Sequence, residues 1–196
     1  MKYVSISGAV AAGKTTMLNR LLAALGDRAT AHEENPEHNP FIRAYYEDPV
    51  RWSFHSQMAF LTLYFEDDGW RGATRDFYFF DRCLVENLVI ARYRLEQGDL
   101  TESEYGVIER MAKGLESLMP PIDRYVYLRC SVETLMAHAR ARGRDYESGV
   151  DRAYCEKQKR LYDAWAETLP KDRVMVVDMD REPDLDAILA FLEADA

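Results

Sequence analysis

A chain of 196 residues with 47% hydrophobic content is long enough to bury the core of one domain, and no linker, internal repeat or low-complexity tract divides residues 1–196. The net charge is −9, from 25 Lys and Arg against 34 Asp and Glu, which argues against a nucleic-acid or anionic-membrane partner and leaves any anionic ligand to locally placed cations. Cys83, Cys130 and Cys155 are too widely spaced for a disulfide framework or a metal motif, so the expected compartment is the reducing cytoplasm, and no apolar run approaches the ~20 residues of a membrane span.

Residues 2–7 (Lys-Tyr-Val-Ser-Ile-Ser) read as a short buried strand, so close to the start that no signal peptide is expected before it. The next stretch, Gly8-Ala-Val-Ala-Ala-Gly13-Lys14-Thr15-Thr16, is G-x-x-x-x-G-K-T, and residues 17–25 read as a helix closed by Gly26. Strand, glycine turn and helix form the setting that a phosphate loop requires. Backbone N–H groups along Gly8, Ala9, Ala11, Ala12, Gly13, Lys14, Thr15 and Thr16 are expected to meet triphosphate oxygens. Gly8 and Gly13 leave room where a Cβ would block approach, and the helix N-terminus adds partial positive charge. Lys14 is expected to reach the β- and γ-phosphates, and the Thr15 hydroxyl suits Mg²⁺. The motif predicts a bound nucleoside triphosphate; it does not say what receives the phosphate.

Residues 29–34 read as a weaker strand ending in Glu33 and Glu34, followed by a loop punctuated by Asn35-Pro36 and Asn39-Pro40. A short helix is expected over 41–46, and Asp48-Pro49 reads as N-cap and first residue of a long helix to about residue 67. Residues 76–81 form a strand ending in Asp81, and residues 84–97 a helix stopped by Gly98. Thr101-Glu-Ser-Glu104 resembles a capping box opening a helix to about residue 118, which Pro120-Pro121 breaks. A strand over 124–130, a helix capped by Ser131 and ending near Arg142, and a charged loop over 140–149 follow. A helix over 153–169, a strand over 173–178 and a helix over 185–193 complete the chain. Five strands alternating with helices predict an α/β fold of P-loop NTPase type, a parallel sheet covered on both faces. Ligands on such sheets bind beyond the carboxyl ends of the strands, where Glu33/Glu34, Asp81-Arg82 and the phosphate loop all fall.

Each cluster has a chemical and a plainer reading. Asp81 at a strand end is suited to Mg²⁺, directly or through water, and Arg82 to phosphate; the alternative is a strand-end salt bridge. Glu33 and Glu34 offer a general base beside an acceptor hydroxyl, or are solvated loop acids. Gln57 shares a helix face with Phe54, Phe60, Leu61 and Tyr64 and pairs either with a nucleobase edge or with backbone and water. Arg140, Arg142 and Arg144 with Glu147 form either a lid over phosphates or a solvated charge run. His32, His38, His55 and His138 have no ligand spacing.

In order and spacing these motifs resemble the deoxynucleoside kinase family, in particular its bacterial deoxyadenosine/deoxyguanosine kinase branch. The resemblance runs from residue 1 to about 150, through the phosphate loop, Glu34-Asn-Pro-Glu-His-Asn39-Pro40, Tyr46-Glu-Asp48-Pro49 with Gln57, Asp81-Arg82-Cys83, and Arg142-Gly-Arg144-Asp-Tyr-Glu147. It implies transfer of the γ-phosphate of ATP, with Mg²⁺, to the 5′-hydroxyl of a deoxynucleoside. By the same resemblance Glu34 is the base, Gln57 pairs with the nucleobase, and Tyr46 and Glu147 hold the 3′-hydroxyl. Asp81 assists Mg²⁺, and Arg82, Arg142 and Arg144 steady phosphates. It also implies a homodimer. The chain departs from the family where Asn35 stands for Pro and Cys83 for Ser, and where the Arg–Asp pair that reads the base in purine-preferring members falls at Tyr64 and Asn87. The bacterial character of the remaining motifs points to a purine.

Two rival readings share the phosphate loop: a nucleoside monophosphate kinase of thymidylate kinase type, and an NTP-binding switch without a small acceptor. A neutral acceptor is favoured by charge. The stretch from Glu33 to Tyr64 carries Arg43 and Arg51 against Glu33, Glu34, Glu37, Glu47 and Asp48, a poor cradle for a monophosphate that brings about two negative charges.

Overall fold

The computed structural model describes residues 1–66, 69–144 and 150–194. Its strands are β1 (Lys2–Ser7), β2 (Ala29–His32), β3 (Phe77–Asp81), β4 (Arg124–Arg129) and β5 (Val174–Asp178), all parallel in one sheet of order β2-β3-β1-β4-β5. The helices are α1 (Lys14–Leu25), α2 (Ile42–Glu47), α3 (Pro49–Glu66), α4 (Glu86–Gln97), α5 (Glu102–Glu116), α6 (Val132–Arg142), α7 (Arg152–Thr168) and α8 (Leu185–Glu193). This is the P-loop NTPase-type α/β fold that the alternation of elements predicts.

The pleat explains why both faces are covered. Successive strand residues point to opposite sides, so Val4, Ile6, Phe77, Phe79, Val126 and Leu128 join one core cluster with Met17, Leu18 and Leu21 of α1 and Ile188 and Leu192 of α8. Their neighbours Tyr78 and Phe80 join a second cluster with Leu61 and Tyr64 of α3, Ala91 of α4, and Ile108 and Ala112 of α5. On that second face Tyr127 donates to Asp163 of α7 at 2.7 Å. Fully burying a ring such as Phe79 or Phe80 stabilises by roughly 1.5–3 kcal/mol, so strands this apolar are held only when both faces are sheltered. Among the described residues no helix is long and apolar enough to cross a membrane.

Local chemistry places the ends. The capping box at α5 is complete, with the Thr101 hydroxyl accepting from the Glu104 amide and the Glu104 carboxylate accepting from the Thr101 amide. Asp48 accepts from the Arg51 amide at 3.2 Å in front of Pro49, and Ser131 caps α6 through the Thr134 amide. The loop after β5 is tied to the same cap, since Asp180 accepts from the Ser131 amide and the Thr134 hydroxyl. Most boundaries fall within one or two residues of expectation, and two of the differences bear on the site. The strand β2 stops at His32, short of Glu33 and Glu34, and α1 begins at Lys14 rather than at residue 17. Both shifts matter for the site: the acids leave the sheet, and the first turn of α1 brings its unpaired amides into the phosphate loop.

The strand order puts β1, β3 and β2 side by side. Their carboxyl ends carry the phosphate loop, Asp81-Arg82 and the segment with Glu33 and Glu34, so three clusters distant in sequence share one edge of the sheet.

Candidate active site

The phosphate loop turns through two left-handed residues, Ala11 (φ 64) and Gly13 (φ 92), and the Ala12 amide donates to the Ala9 carbonyl at 3.1 Å. Gly8 is needed for a different reason from the one expected. A Cβ there would lie 2.9 Å from the Leu128 carbonyl, so the glycine admits β4, and its amide is directed to Glu86 at 3.3 Å rather than outward. Gly8 and Ala9 accordingly do not line the cavity described below, whereas Ala11, Ala12, Gly13, Lys14, Thr15 and Thr16 do. Lys14 is buried and its ammonium donates to the Gly8 and Ala9 carbonyls, at 3.0 Å each. Burial, reinforced by the Arg82 guanidinium, pushes this amine down to about 8, while Asp81, Glu86 and Glu34 pull the other way.

At the end of β3, Asp81 is buried and accepts from the Thr15 hydroxyl at 2.7 Å. One hydroxyl and one carboxylate at the foot of a phosphate loop form a hard oxygen donor set, which fits Mg²⁺ completed by phosphate and water oxygens. Arg82 has φ 81, a conformation that costs a non-glycine residue on the order of 1–3 kcal/mol and persists only where the surroundings enforce it. Three contacts enforce it: the Arg82 amide donates to the Ile6 carbonyl, the Tyr64 hydroxyl to the Arg82 carbonyl, and the Cys83 amide to Glu86. The side chain is thereby aimed at the site. Nη1 donates to the Tyr162 hydroxyl at 2.6 Å, and Nε forms an ion pair with Glu34 Oε2 at 3.2 Å without a directed hydrogen bond. Glu34 is half-buried and lines the cavity; Glu33 is exposed and does not.

The cavity encloses about 610 Å³, within the range of small-molecule sites. Beyond Glu34 and Arg82 its wall includes Tyr46, Phe60, Gln57 and Asn87. Gln57 Oε1 and Asn87 Oδ1 are buried and have no hydrogen-bond partner among the described residues. The Asn87 amide nitrogen donates to the Leu84 carbonyl at 2.9 Å, which turns the orphan oxygen away from its own turn. Leaving a buried acceptor unpaired costs about 1–3 kcal/mol; both residues line the cavity, so a turn of either amide would present it to a ligand there. Tyr64 behaves otherwise: it is buried, does not line the cavity, and stacks on His32 with ring centroids 5.3 Å apart. Its hydroxyl supports the Arg82 turn instead of facing a base.

Of the lid arginines, Arg142 and Arg144 line the cavity, while Arg140 is exposed and does not. Glu147 lies outside the described residues, as do residues 145–149 of the expected lid. Two residues that the sequence does not single out stand beside the site: Glu86, a first-turn acid of α4, and Tyr162 of α7, whose hydroxyl holds Arg82. An acid five residues beyond Asp81 at a helix start was the only available signal for the first.

A family model described as "Deoxynucleoside kinase" matches residues 4–189. Among curated relatives, deoxyadenosine/deoxycytidine kinase of Bacillus subtilis (strain 168) is 27% identical over 165 residues, covering 83% of this chain and 75% of that protein. Deoxyadenosine kinase of Dictyostelium discoideum is 29% identical over 174 residues, covering 85% of this chain and 66% of that protein. Among solved structures, deoxyadenosine kinase from M. mycoides with bound dATP superposes with a TM-score of 0.85 at 23% identity, covering 99% of this chain and 100% of that one; at this identity the likeness is one of fold.

Proposed function

Because the chain belongs to the deoxynucleoside kinase family, we propose that it transfers the γ-phosphate of ATP to the 5′-hydroxyl of a deoxynucleoside whose base carries an amino group, a purine such as adenine first. The observation that carries the reading is the wall of one cavity, which brings Lys14, Asp81, Arg82 and Glu34 together with Gln57 and Asn87, each of which has an unpaired amide oxygen. Cations and a carboxylate suit phosphoryl transfer to a hydroxyl; orphan acceptors suit the N–H donors of a base.

In this reading the loop amides from Ala11 onward and the first turn of α1 cradle the triphosphate, and Lys14 turns from the Gly8 and Ala9 carbonyls to the β- and γ-phosphates. Thr15 and Asp81 would hold Mg²⁺, which supplies charge neutralisation on the phosphates. Glu34 accepts the proton of the 5′-hydroxyl as the phosphorus–oxygen bond forms. Arg82 fixes Glu34 and offers positive charge to the transferred group, and Arg142 and Arg144 close over it. Tyr46 and Glu147 hold the 3′-hydroxyl. Three buried cysteines without disulfides suit a reducing cytoplasm, and the family resemblance implies a homodimer.

A monophosphate acceptor is disfavoured. Neither cation of the acceptor stretch lines the cavity: Arg43 lies 3.7 Å from Glu37, and Arg51 sits over the Trp52 ring at 5.0 Å.

Base reading can be tested separately from catalysis. Gln57→Leu is expected to raise KM for the nucleoside roughly tenfold while moving KM for ATP little, since a base edge left unpaired loses about 1–3 kcal/mol. Across the four deoxynucleosides, thymidine should be the poorest substrate, because thymine alone carries no exocyclic amino group to donate. Equal rises in both KM values would make Gln57 a core amide. Thymidine as the best substrate would remove the role given to the two orphan oxygens.

A further inference from the structure

Glu86 is fully buried and does not line the cavity, so no step of the transfer uses it directly. Its carboxylate nevertheless joins two segments far apart in the chain, residues 5–8 and residues 83–86. Oε1 accepts from the Ser7 hydroxyl at 2.8 Å and the Cys83 amide at 2.9 Å, with the Ser5 hydroxyl at 3.2 Å. Oε2 accepts from the Gly8 amide, the first of the phosphate loop. Ser5 and Ser7 are themselves fully buried and lie 2.8 Å apart. The Glu86 amide returns a bond to the Cys83 carbonyl at 3.1 Å, so side chain and backbone together clasp the turn that holds Arg82 at positive φ.

A carboxylate is acceptor-only, and every neighbour here is a donor. Burial pushes its carboxyl above the usual range, while the Arg82 and Lys14 cations and the surrounding donors pull the other way. If packing alone were needed, an apolar side chain of similar size would fill the space without the desolvation cost of a buried charge. What an apolar side chain cannot do is fix the start of the phosphate loop to the Arg82 turn. We propose that Glu86 is a positioning residue for phosphoryl transfer: it fastens the Gly8 end of the phosphate loop and the end of β1 to the Arg82–Cys83 turn, and so sets Lys14 and Arg82 at a constant separation across the site. The proposal rests on the phosphoryl-transfer reading and assigns a part of its machinery that touches neither substrate.

The test compares the full chain as wild type, Glu86→Gln, Ser7→Ala and the double variant. Glutamine keeps the shape but turns an amide N–H₂ toward donors. Misplacing reacting groups by about 1 Å costs on the order of 10²-fold in rate, so Glu86→Gln is expected to lower kcat with deoxyadenosine and Mg-ATP by ~10–10²-fold. KM for the nucleoside should stay within about twofold, because the base end of the cavity is built elsewhere. Ser7→Ala, the milder change, should lower kcat several-fold with the fold intact, and the double variant should be no slower than Glu86→Gln within about twofold, since both act through one contact. ATP affinity, measured by equilibrium dialysis without acceptor, should weaken at least ~5-fold in Glu86→Gln. That binding readout does not depend on which nucleoside is accepted, so a wild type silent toward deoxynucleosides would count against the function and leave the loop-fastening role to be judged on ATP binding. Wild-type kcat and ATP affinity in Glu86→Gln, with only a lower melting temperature, would overturn the proposal, as would rate losses that multiply in the double variant.

Discussion

Lys14→Met should lower kcat by at least ~10³-fold while the protein still folds, because the ammonium contributes charge to the β- and γ-phosphates that no neighbour replaces. The free structure shows why the fold should tolerate the change. Lys14 is buried and bonded only to the Gly8 and Ala9 carbonyls, so methionine fills its volume and forfeits two hydrogen bonds. A loss of ~1 kcal/mol per bond corresponds to a few degrees in melting temperature for a chain of this length. The same lysine should shape the pH profile. Its amine is pushed down to about 8 in the free protein, so it is cationic below that pH and loses charge as pH rises through it. Therefore kcat/KM for ATP should fall on the alkaline side, whereas kcat should hold to higher pH, because bound triphosphate favours the ammonium. Wild-type turnover by Lys14→Met would remove the phosphate-loop assignment.

Glu34→Gln should cost at least ~10²-fold in kcat, the usual scale for a lost general base, and Glu33→Gln far less. The two acids are adjacent in sequence but not equivalent in space. Glu34 lies in the cavity wall with Oε2 at 3.2 Å from Arg82 Nε; Glu33 points to solvent. Glutamine at 34 keeps the shape, so binding of nucleoside should change little while the proton loses its acceptor. Breaking the ion pair also leaves a buried guanidinium with one partner fewer, so a modest loss of stability accompanies the kinetic loss. The reverse ranking of the two variants would move the base to Glu33.

Much of this architecture is legible in the residues themselves, because it is local. The apolar runs at β1, β3 and β4, the Asp48-Pro49 start of α3 and the Thr101–Glu104 capping box are set by period and by short-range hydrogen bonds. The start of α1 was not legible, since Lys14-Thr15-Thr16 carries no apolar periodicity and its helical state comes from the Gly13 turn. The end of β2 was not either: His32 is the last residue to pair with β3, and it stacks on Tyr64 from α3. The site divides in the same way. Phosphate loop, Asp81, Arg82 and Glu34 sit at strand ends that any parallel sheet gathers. The partners that aim Arg82 do not, because Tyr64 and Tyr162 meet it across 18 and 80 residues of chain, and Glu86 reaches Ser7 across 79. Such contacts follow from the packing of helices on the sheet, which side-chain type alone does not encode. Arg140, grouped with the lid by spacing, stands exposed at the end of α6 and does not line the cavity.

The central claim is that the acceptor is a neutral deoxynucleoside held beside Glu34. The direct measurement is kcat/KM for deoxyadenosine and deoxyguanosine against their 5′-monophosphates, with Mg-ATP as donor. A monophosphate carries about two negative charges to a place lined by a carboxylate and has no 5′-proton for it to accept. The account predicts that each nucleoside exceeds its monophosphate by at least ~10²-fold, the scale of a general-base contribution. A larger kcat/KM for either monophosphate would contradict it and make the chain a monophosphate kinase.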